Sequence, residues 1–107
     1  IRETQDYLAD ATIPWGIVGH VGDGNFHVAF IIDPGSEDDL VQAETLNTRM
    51  VQRALQMEGT RTGEHGIGLG KRRFLELEHG AAGVAAMRAI KAALDPKGIM
   101  NPGKVIP

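Results

Sequence analysis

The nine-residue segment from Gly19 to His27 constrains the fold most, because it places two histidines symmetrically about a tight-turn signal. Asp23-Gly24 favours a two-residue type I′ hairpin turn, since both central positions of that turn need a positive φ. Counting outward from this turn, His20 faces His27 directly across two antiparallel strands. Directly opposed residues have Cβ atoms about 5 Å apart, so the two imidazoles could bind one metal ion or form a polar feature of the turn.

Alternating side chains on both sides of the turn predict the two strands, Trp15–Val21 and Phe26–Ile32. In the second strand the bulky residues occupy every other position, and smaller residues share the face of the histidine. We therefore expect the bulky face to point into the core; its members are Phe26, Val28, Phe30 and Ile32.

Two long amphipathic helices are predicted after the hairpin. The first runs from about Glu37 to Met57, with Ser36 as its N-cap and Gly59 as its C′ residue. The second runs from Gly80 to about Leu94 and ends there because a residue before proline avoids the helical region. Together the elements predict an α+β fold, in which an antiparallel sheet has the two long helices packed on its bulky face.

A second glycine-framed segment, residues 63–68, places Glu64 and His65 side by side. The preceding residues 60–62 are β-prone and could deliver Glu64 to the hairpin as a third ligand. The following residues 71–78 predict a short helical segment. Since three histidines and a carboxylate in two glycine-rich loops are not needed for folding, they favour a metal or catalytic site.

Composition excludes several classes of function. The chain has 107 residues, enough for one small domain. Its net charge of −3 argues against a nucleic-acid or anionic-membrane surface. With no cysteine, any metal must be bound by histidine, carboxylate and water. No apolar run is long enough to span a membrane.

Because the chain begins at Ile1 without an initiator methionine, we expect a fragment or a processed product.

Three motifs occur in order along the chain: GHVGDGNFH at residues 19–27, GEHGIG at 63–68 and NPGKV at 101–105. Together they resemble the C-terminal part of FAD-linked oxidases of the vanillyl-alcohol-oxidase type. Within that family the resemblance is greatest to cytochrome-linked D-lactate dehydrogenases, with glycolate oxidase flavoprotein subunits and D-2-hydroxyglutarate dehydrogenase as relatives.

The resemblance implies that residues 1–107 form the substrate and cap region and the C-terminal tail of a flavoenzyme. FAD would bind mainly to an N-terminal domain that this chain lacks. By the same resemblance, His20, His27 and Glu64 match ligands of a divalent ion, zinc or manganese. His65 matches the base for the substrate hydroxyl, and Asn101 lies near the flavin. The implied reaction is oxidation of a D-2-hydroxy acid to the 2-oxo acid, with hydride passing to the flavin.

Two other classes of function remain open at this point, a small metal-dependent hydrolase and a metal-stabilised binding module. A site at the edge of a flavin predicts instead that the isolated chain is folded without metal and inert. The expected partners are a small 2-hydroxy acid and a second copy of the chain in a homo-oligomer, and no nucleic acid. No transmembrane segment is expected. The sequence leaves open the exact substrate, the electron acceptor and the compartment: cytoplasm or inner-membrane periphery in a bacterium, mitochondrion in a eukaryote.

Overall fold

The computed structural model describes all 107 residues, which form two compact units, residues 1–59 and 60–107. The predicted α+β class is confirmed by three α-helices and one two-stranded antiparallel sheet. The elements are α1 (Arg2–Leu8), β1 (Trp15–Val18), β2 (His27–Phe30), α2 (Glu37–Gln56) and α3 (Leu75–Leu94). The sheet and α2 belong to the first unit and α3 to the second. The packing of both long helices on one sheet face stays a prediction.

The two strands pair antiparallel, with Trp15 opposite Phe30 and Val18 opposite His27. Side chains alternate between half-buried and exposed along β1, and in β2 the exposed position is Ala29. Val28 and Phe30, on the predicted bulky face, are half-buried. The predicted alternation is confirmed along β1 and from Val28 to Phe30, whereas His27 is half-buried as well, and both strands are shorter than predicted.

The turn of the hairpin differs from the prediction. The His20 carbonyl accepts the amides of Asp23 at 2.8 Å and Asn25 at 3.2 Å, which closes a four-residue turn containing a 3₁₀ segment, Val21–Asp23. Of the two residues Asp23 and Gly24, only Gly24 has a positive φ, at 74°. Asp23-Gly24 is therefore not a type I′ turn. A longer loop built on a helical turn needs one positive φ where the type I′ turn needs two. The predicted direct opposition of His20 and His27 is therefore wrong.

The N-terminus of α2 confirms the predicted cap. The Ser36 hydroxyl accepts the Asp39 amide at 3.2 Å and donates to the Asp39 carboxylate at 3.0 Å. The second carboxylate oxygen of Asp39 accepts the Asp33 amide at 3.1 Å. These bonds satisfy amides that have no partner inside the helix. They also fix the chain direction between the hairpin and α2.

The C-terminus of α2 ends in a Schellman motif, one residue earlier than predicted. The Gly59 amide reaches back to the Ala54 carbonyl at 2.9 Å, and the Glu58 amide donates to the Leu55 carbonyl at 3.0 Å. The left-handed C′ residue is consequently Glu58, with φ 58°, and Gly59 occupies the following position.

In the second unit, α3 is interrupted at Gly80, whose φ of 68° and ψ of 166° are not helical. The interruption separates a short helical segment from a longer one, as the sequence predicts for residues 71–78 and 80–94. The core of this unit contains the buried side chains of Phe74, Leu75 and Val84. The predicted β-prone segment at residues 60–62 is not a strand. Arg61 within it is buried and makes side-chain bonds that are described below.

Candidate functional site

The loop that carries the first motif depends on Gly19. A Cβ atom at this position would lie 2.5 Å from Phe26 Cα and 2.6 Å from the Asn25 carbonyl oxygen. Both of these atoms belong to the backbone, which cannot move aside as a flexible side chain can. Only glycine allows the two backbones to approach this closely, and this approach sets where His20 leaves the hairpin.

The two histidines of the first motif lie at the same end of the hairpin. His27 is the first residue of β2 and pairs with Val18, whereas His20 follows Val18 by two residues. The pairing is thus shifted by two residues from the prediction, and a shift of two preserves the face of a strand while a shift of one reverses it. His20 lies beyond the end of β1, directly before the 3₁₀ segment, so it is not directly opposed to His27.

The second motif forms a β-turn in the second unit. The Gly66 amide donates to the Gly63 carbonyl at 3.1 Å, so Glu64 and His65 are the two central residues of the turn. Their side chains are 47% and 74% exposed, and Glu64 Oε1 lies 3.6 Å from His65 Nε2. Gly66 takes the left-handed conformation that follows the turn, with φ 74°. A carboxylate and an imidazole are thus presented together at the tip of a glycine-rich loop.

The third motif lies against this loop within the same unit. The Val105 amide donates to the Gly68 carbonyl at 2.8 Å, which joins the tail to the loop. The tail is held to α3 by Lys91 Nζ, which donates to the Met100 carbonyl at 2.7 Å. Asn101 follows Met100 directly and is exposed, with φ 46°. The second unit therefore contains three of the five predicted site residues, Glu64, His65 and Asn101.

Asp95 fixes the start of the tail. Its carboxylate accepts the amides of Ile99 at 3.0 Å and Met100 at 2.9 Å, and it also pairs with Lys91. The hydrogen bond from Lys91, assisted by the two amides, lowers the pKa of the Asp95 carboxyl below its ordinary value. Asp95 is consequently ionised at neutral pH and holds the backbone that leads to Asn101.

The imidazole and carboxylate side chains of the first two motifs are of types that bind divalent ions. His20 and His27 carry imidazoles in the first unit, and Glu64 and His65 carry a carboxylate and an imidazole in the second. Nitrogen and carboxylate ligands suit zinc, and imidazole with carboxylate also accommodates other divalent first-row metals.

Arg61 is a residue of this region that sequence reasoning missed. Its side chain is 0% exposed and pairs with Glu78. The sequence offers no pattern that selects this pair, because the two residues are separated by the whole glycine-rich loop. A single arginine between threonines is equally typical of an exposed strand.

Comparison with known proteins settles the family. Residues 1–105 match the family described as FAD linked oxidases, C-terminal domain. The chain belongs to this family. The three motifs at residues 19–27, 63–68 and 101–105 all fall inside the matched range, so the resemblance noted from the sequence is confirmed.

Named relatives share the full length of the chain. It is 53% identical over 107 residues to a mitochondrial D-lactate dehydrogenase [cytochrome] of Arabidopsis thaliana, covering 100% of the chain and 19% of that protein. It is 48% identical over 106 residues to a probable mitochondrial D-lactate dehydrogenase of Danio rerio, covering 99% of the chain and 21% of that protein. It is 37% identical over 105 residues to the glycolate oxidase subunit GlcD of Bacillus subtilis, covering 98% and 22%.

The chain spans about a fifth of the length of the curated relatives it matches. None of its helices is both long enough and apolar enough to cross a membrane.

Proposed function

We propose that this chain is the C-terminal part of a FAD-dependent dehydrogenase that oxidises a D-2-hydroxy acid to the corresponding 2-oxo acid. The observation that carries the proposal is the turn that presents Glu64 and His65, held against the NPGKV tail in a chain that belongs to the FAD-linked oxidase family. This membership favours an oxidoreductase over the hydrolase and the binding module that the residues alone left open.

D-lactate is the substrate we propose first. The relatives named as D-lactate dehydrogenases are 48–53% identical to the chain, whereas those named for glycolate or D-2-hydroxyglutarate are 35–43% identical. All three acids carry a hydroxyl group beside a carboxylate, so the same reacting atoms are offered to the site. We keep glycolate and D-2-hydroxyglutarate as the alternative substrates.

His20, His27 and Glu64 would hold a divalent ion, zinc or manganese, and Asn101 would lie beside the flavin. When bound, the ion supplies a Lewis acid for the substrate hydroxyl and FAD supplies the acceptor for the hydride. His65 accepts the hydroxyl proton on its imidazole, and the electron pair left on oxygen forms the carbonyl as the hydrogen on C2 departs with its own pair. Imidazole suits this step because its ordinary pKa is near neutrality.

The compartment and the partners follow from the same proposal. Several eukaryotic relatives are named as mitochondrial, which supports a mitochondrial location if the host is a eukaryote. The flavin must pass its electrons to an acceptor, and relatives named with cytochrome make a one-electron carrier the first choice to test. Self-association stays a prediction.

The test uses the full-length enzyme and the variant His65→Asn. Because a positioned general base contributes about 10²–10⁴-fold, we expect kcat for D-lactate to fall within that range while bound FAD and metal stay at wild-type levels. His20→Ala and His27→Ala should lose the metal as well as the activity. His79→Asn is the matched control, since His79 is the one other histidine and lies outside the three motifs.

Bound flavin is measured from its absorbance and bound metal by elemental analysis of the purified enzyme. Wild-type turnover by His65→Asn across about pH 6 to 9 would remove His65 as the base. Unchanged metal content in both His20→Ala and His27→Ala would remove the proposed ligand set.

A further inference from the structure

We propose that Arg61 is a positioning residue that fixes the base of the loop carrying Glu64 and His65. The loop comprises residues 62–70, and we call it the GEHG loop. The catalytic consequence of this proposal rests on the function proposed above. The structural part, a clamp that closes the loop, stands on the contacts of the second unit alone.

Arg61 joins the two ends of the GEHG loop. It immediately precedes the loop, and its Nε donates to the carbonyl of Lys71, which immediately follows the loop, at 3.3 Å. Its Nη1 donates to a carboxylate oxygen of Glu78, near the start of α3. The side chain of Arg61 is 0% exposed and that of Glu78 is 11% exposed. A single buried guanidinium thus ties both ends of the loop to the helix.

Glu78 receives a second bond from the same segment. The Thr60 hydroxyl donates to the other carboxylate oxygen of Glu78 at 2.6 Å and accepts the Thr62 amide at 3.1 Å. Both oxygens of one carboxylate are therefore used to hold residues 60–62. Charge-assisted bonds of this kind are stronger than neutral ones and more specific in geometry.

The GEHG loop is rich in glycine, which makes the hold on its two ends important for its shape. Its carbonyls accept backbone amides in four bonds: Gly66 to Gly63, Lys71 to Ile67, Arg72 to Leu69 and, from the tail, Val105 to Gly68. Four of its nine residues are glycine, and glycine loses the most conformational freedom when it is ordered. Firm attachment of the two ends of the loop consequently limits how far the backbone of Glu64 and His65 can move.

Stability alone does not account for the arginine. A buried ion pair is weak evidence for stability, because apolar residues of similar volume often serve equally well. Arg61 also keeps a buried Nη2 without a hydrogen-bond partner, and an unsatisfied buried donor is costly. What the guanidinium adds over an apolar residue is a fixed geometry: Nε aimed at the Lys71 carbonyl and Nη1 aimed at Glu78.

The test removes the clamp while keeping the volume filled, with the double variant Arg61→Met/Glu78→Leu in the full-length enzyme. Hydrogen exchange measured by mass spectrometry should become at least about fivefold faster in residues 62–71, with residues 81–94 unchanged. Because a misplacement of about 1 Å can cost 10²-fold, kcat for D-lactate should fall by about 10–100-fold, and by a larger factor than KM rises. Bound FAD should stay at the wild-type level.

The matched control is Arg53→Met/Glu3→Leu, which removes an ion pair in the first unit with side chains 42% and 58% exposed. This control should leave both exchange in residues 62–71 and kcat within twofold of the wild type. Arg61→Lys covers the case in which the double variant does not fold. Lysine keeps the charge next to Glu78 but lacks the Nε donor to Lys71, so its exchange and kcat should fall between the wild type and the double variant.

If residues 62–71 exchanged hydrogen at the wild-type rate in the double variant or in Arg61→Lys, the proposal that Arg61 holds the loop would be overturned. Faster exchange with unchanged kcat would overturn the positioning role. The proposed function is tested separately, by the turnover of His65→Asn. If that variant kept wild-type turnover, the proposed function would fail, but the hydrogen-exchange result on Arg61 would still stand.

Discussion

Replacing Gly19 with alanine tests whether the close backbone approach in the hairpin sets the geometry of the histidine motif. The new Cβ would lie 2.5 Å from Phe26 Cα and 2.6 Å from the Asn25 carbonyl oxygen. Non-bonded carbon atoms prefer separations of about 3.5–4.0 Å, so the two backbones must part by about 1 Å. The residues that move are those that lead into His20 and His27.

The expected cost follows from this overlap. Forcing extra atoms into a packed region costs about 1–3 kcal/mol. Since about 1.4 kcal/mol corresponds to a tenfold change in an equilibrium constant, local opening of the hairpin should become about 5- to 150-fold more frequent. A displacement of about 1 Å at residues that orient the reaction can cost 10²-fold in rate. We therefore expect kcat of the full-length enzyme to fall by about that factor.

Native-state hydrogen exchange of the full-length protein measures the opening, in peptides that cover residues 15–31. Gly16→Ala is the matched control, because Gly16 lies in β1 three residues before Gly19 and a Cβ there meets no heavy atom within 4 Å. It should leave exchange and kcat near wild type, or slow the exchange slightly by reducing the freedom of the unfolded chain. If Gly19→Ala and Gly16→Ala behaved alike, the reasoning from the backbone contact would be refuted.

Three further predictions concern stability, each read from hydrogen exchange or denaturation of the full-length protein. Leu75→Ala truncates a fully buried side chain and should destabilise the second unit by about 2–5 kcal/mol; an effect below about 1 kcal/mol would contradict the assigned core. Glu58→Gly should stabilise the end of α2 by about 0.5–1 kcal/mol, since Glu58 adopts φ 58° and glycine does so without strain; a loss of protection in residues 50–56 would argue against the Schellman ending. The pKa of Asp95 is lower in the folded than in the unfolded chain, chiefly through the hydrogen bond from Lys91. The contribution of Asp95 to the free energy of unfolding is therefore complete above the ordinary aspartate pKa of about 3.9 and is lost as the pH falls through the lower folded pKa. Asp95→Asn should make the free energy of unfolding depend less on pH in acid. An unchanged dependence on pH would exclude Asp95 as its source.

Features that depend on interactions between residues close in sequence were predicted well. The cap formed by Ser36 and Asp39 lies within four residues, and the alternation in β2 reports directly which face is sheltered. The break at Gly80 separates two helical segments as the sequence indicates. In each case the interacting groups are close along the chain, so local chemistry determines the outcome.

Register and long-range pairs could not be predicted in the same way. Asp23-Gly24 is compatible with more than one turn length, and alternation with period two is satisfied equally by registers that differ by two residues. The predicted direct opposition of His20 and His27 was therefore wrong, because β1 ends at Val18, which pairs with His27. The pair between Arg61 and Glu78 spans 17 residues, and nothing in the local sequence favours that partner over the other acidic residues.

The hydrogen bond between Val105 and Gly68 has a consequence for how the enzyme is made. Ribosomes add roughly 5–20 residues per second, and domains fold as their segments become available. Gly68 leaves the ribosome 37 residues before Val105, its partner, so the GEHG loop must wait for the tail before its backbone bonding is complete. Nascent chains arrested before Val105 emerges should hold both histidines of the hairpin and the entire loop, yet lack the contact that joins the loop to the tail. Assembly of the turn that carries Glu64 and His65 is thereby placed after synthesis of the NPGKV segment.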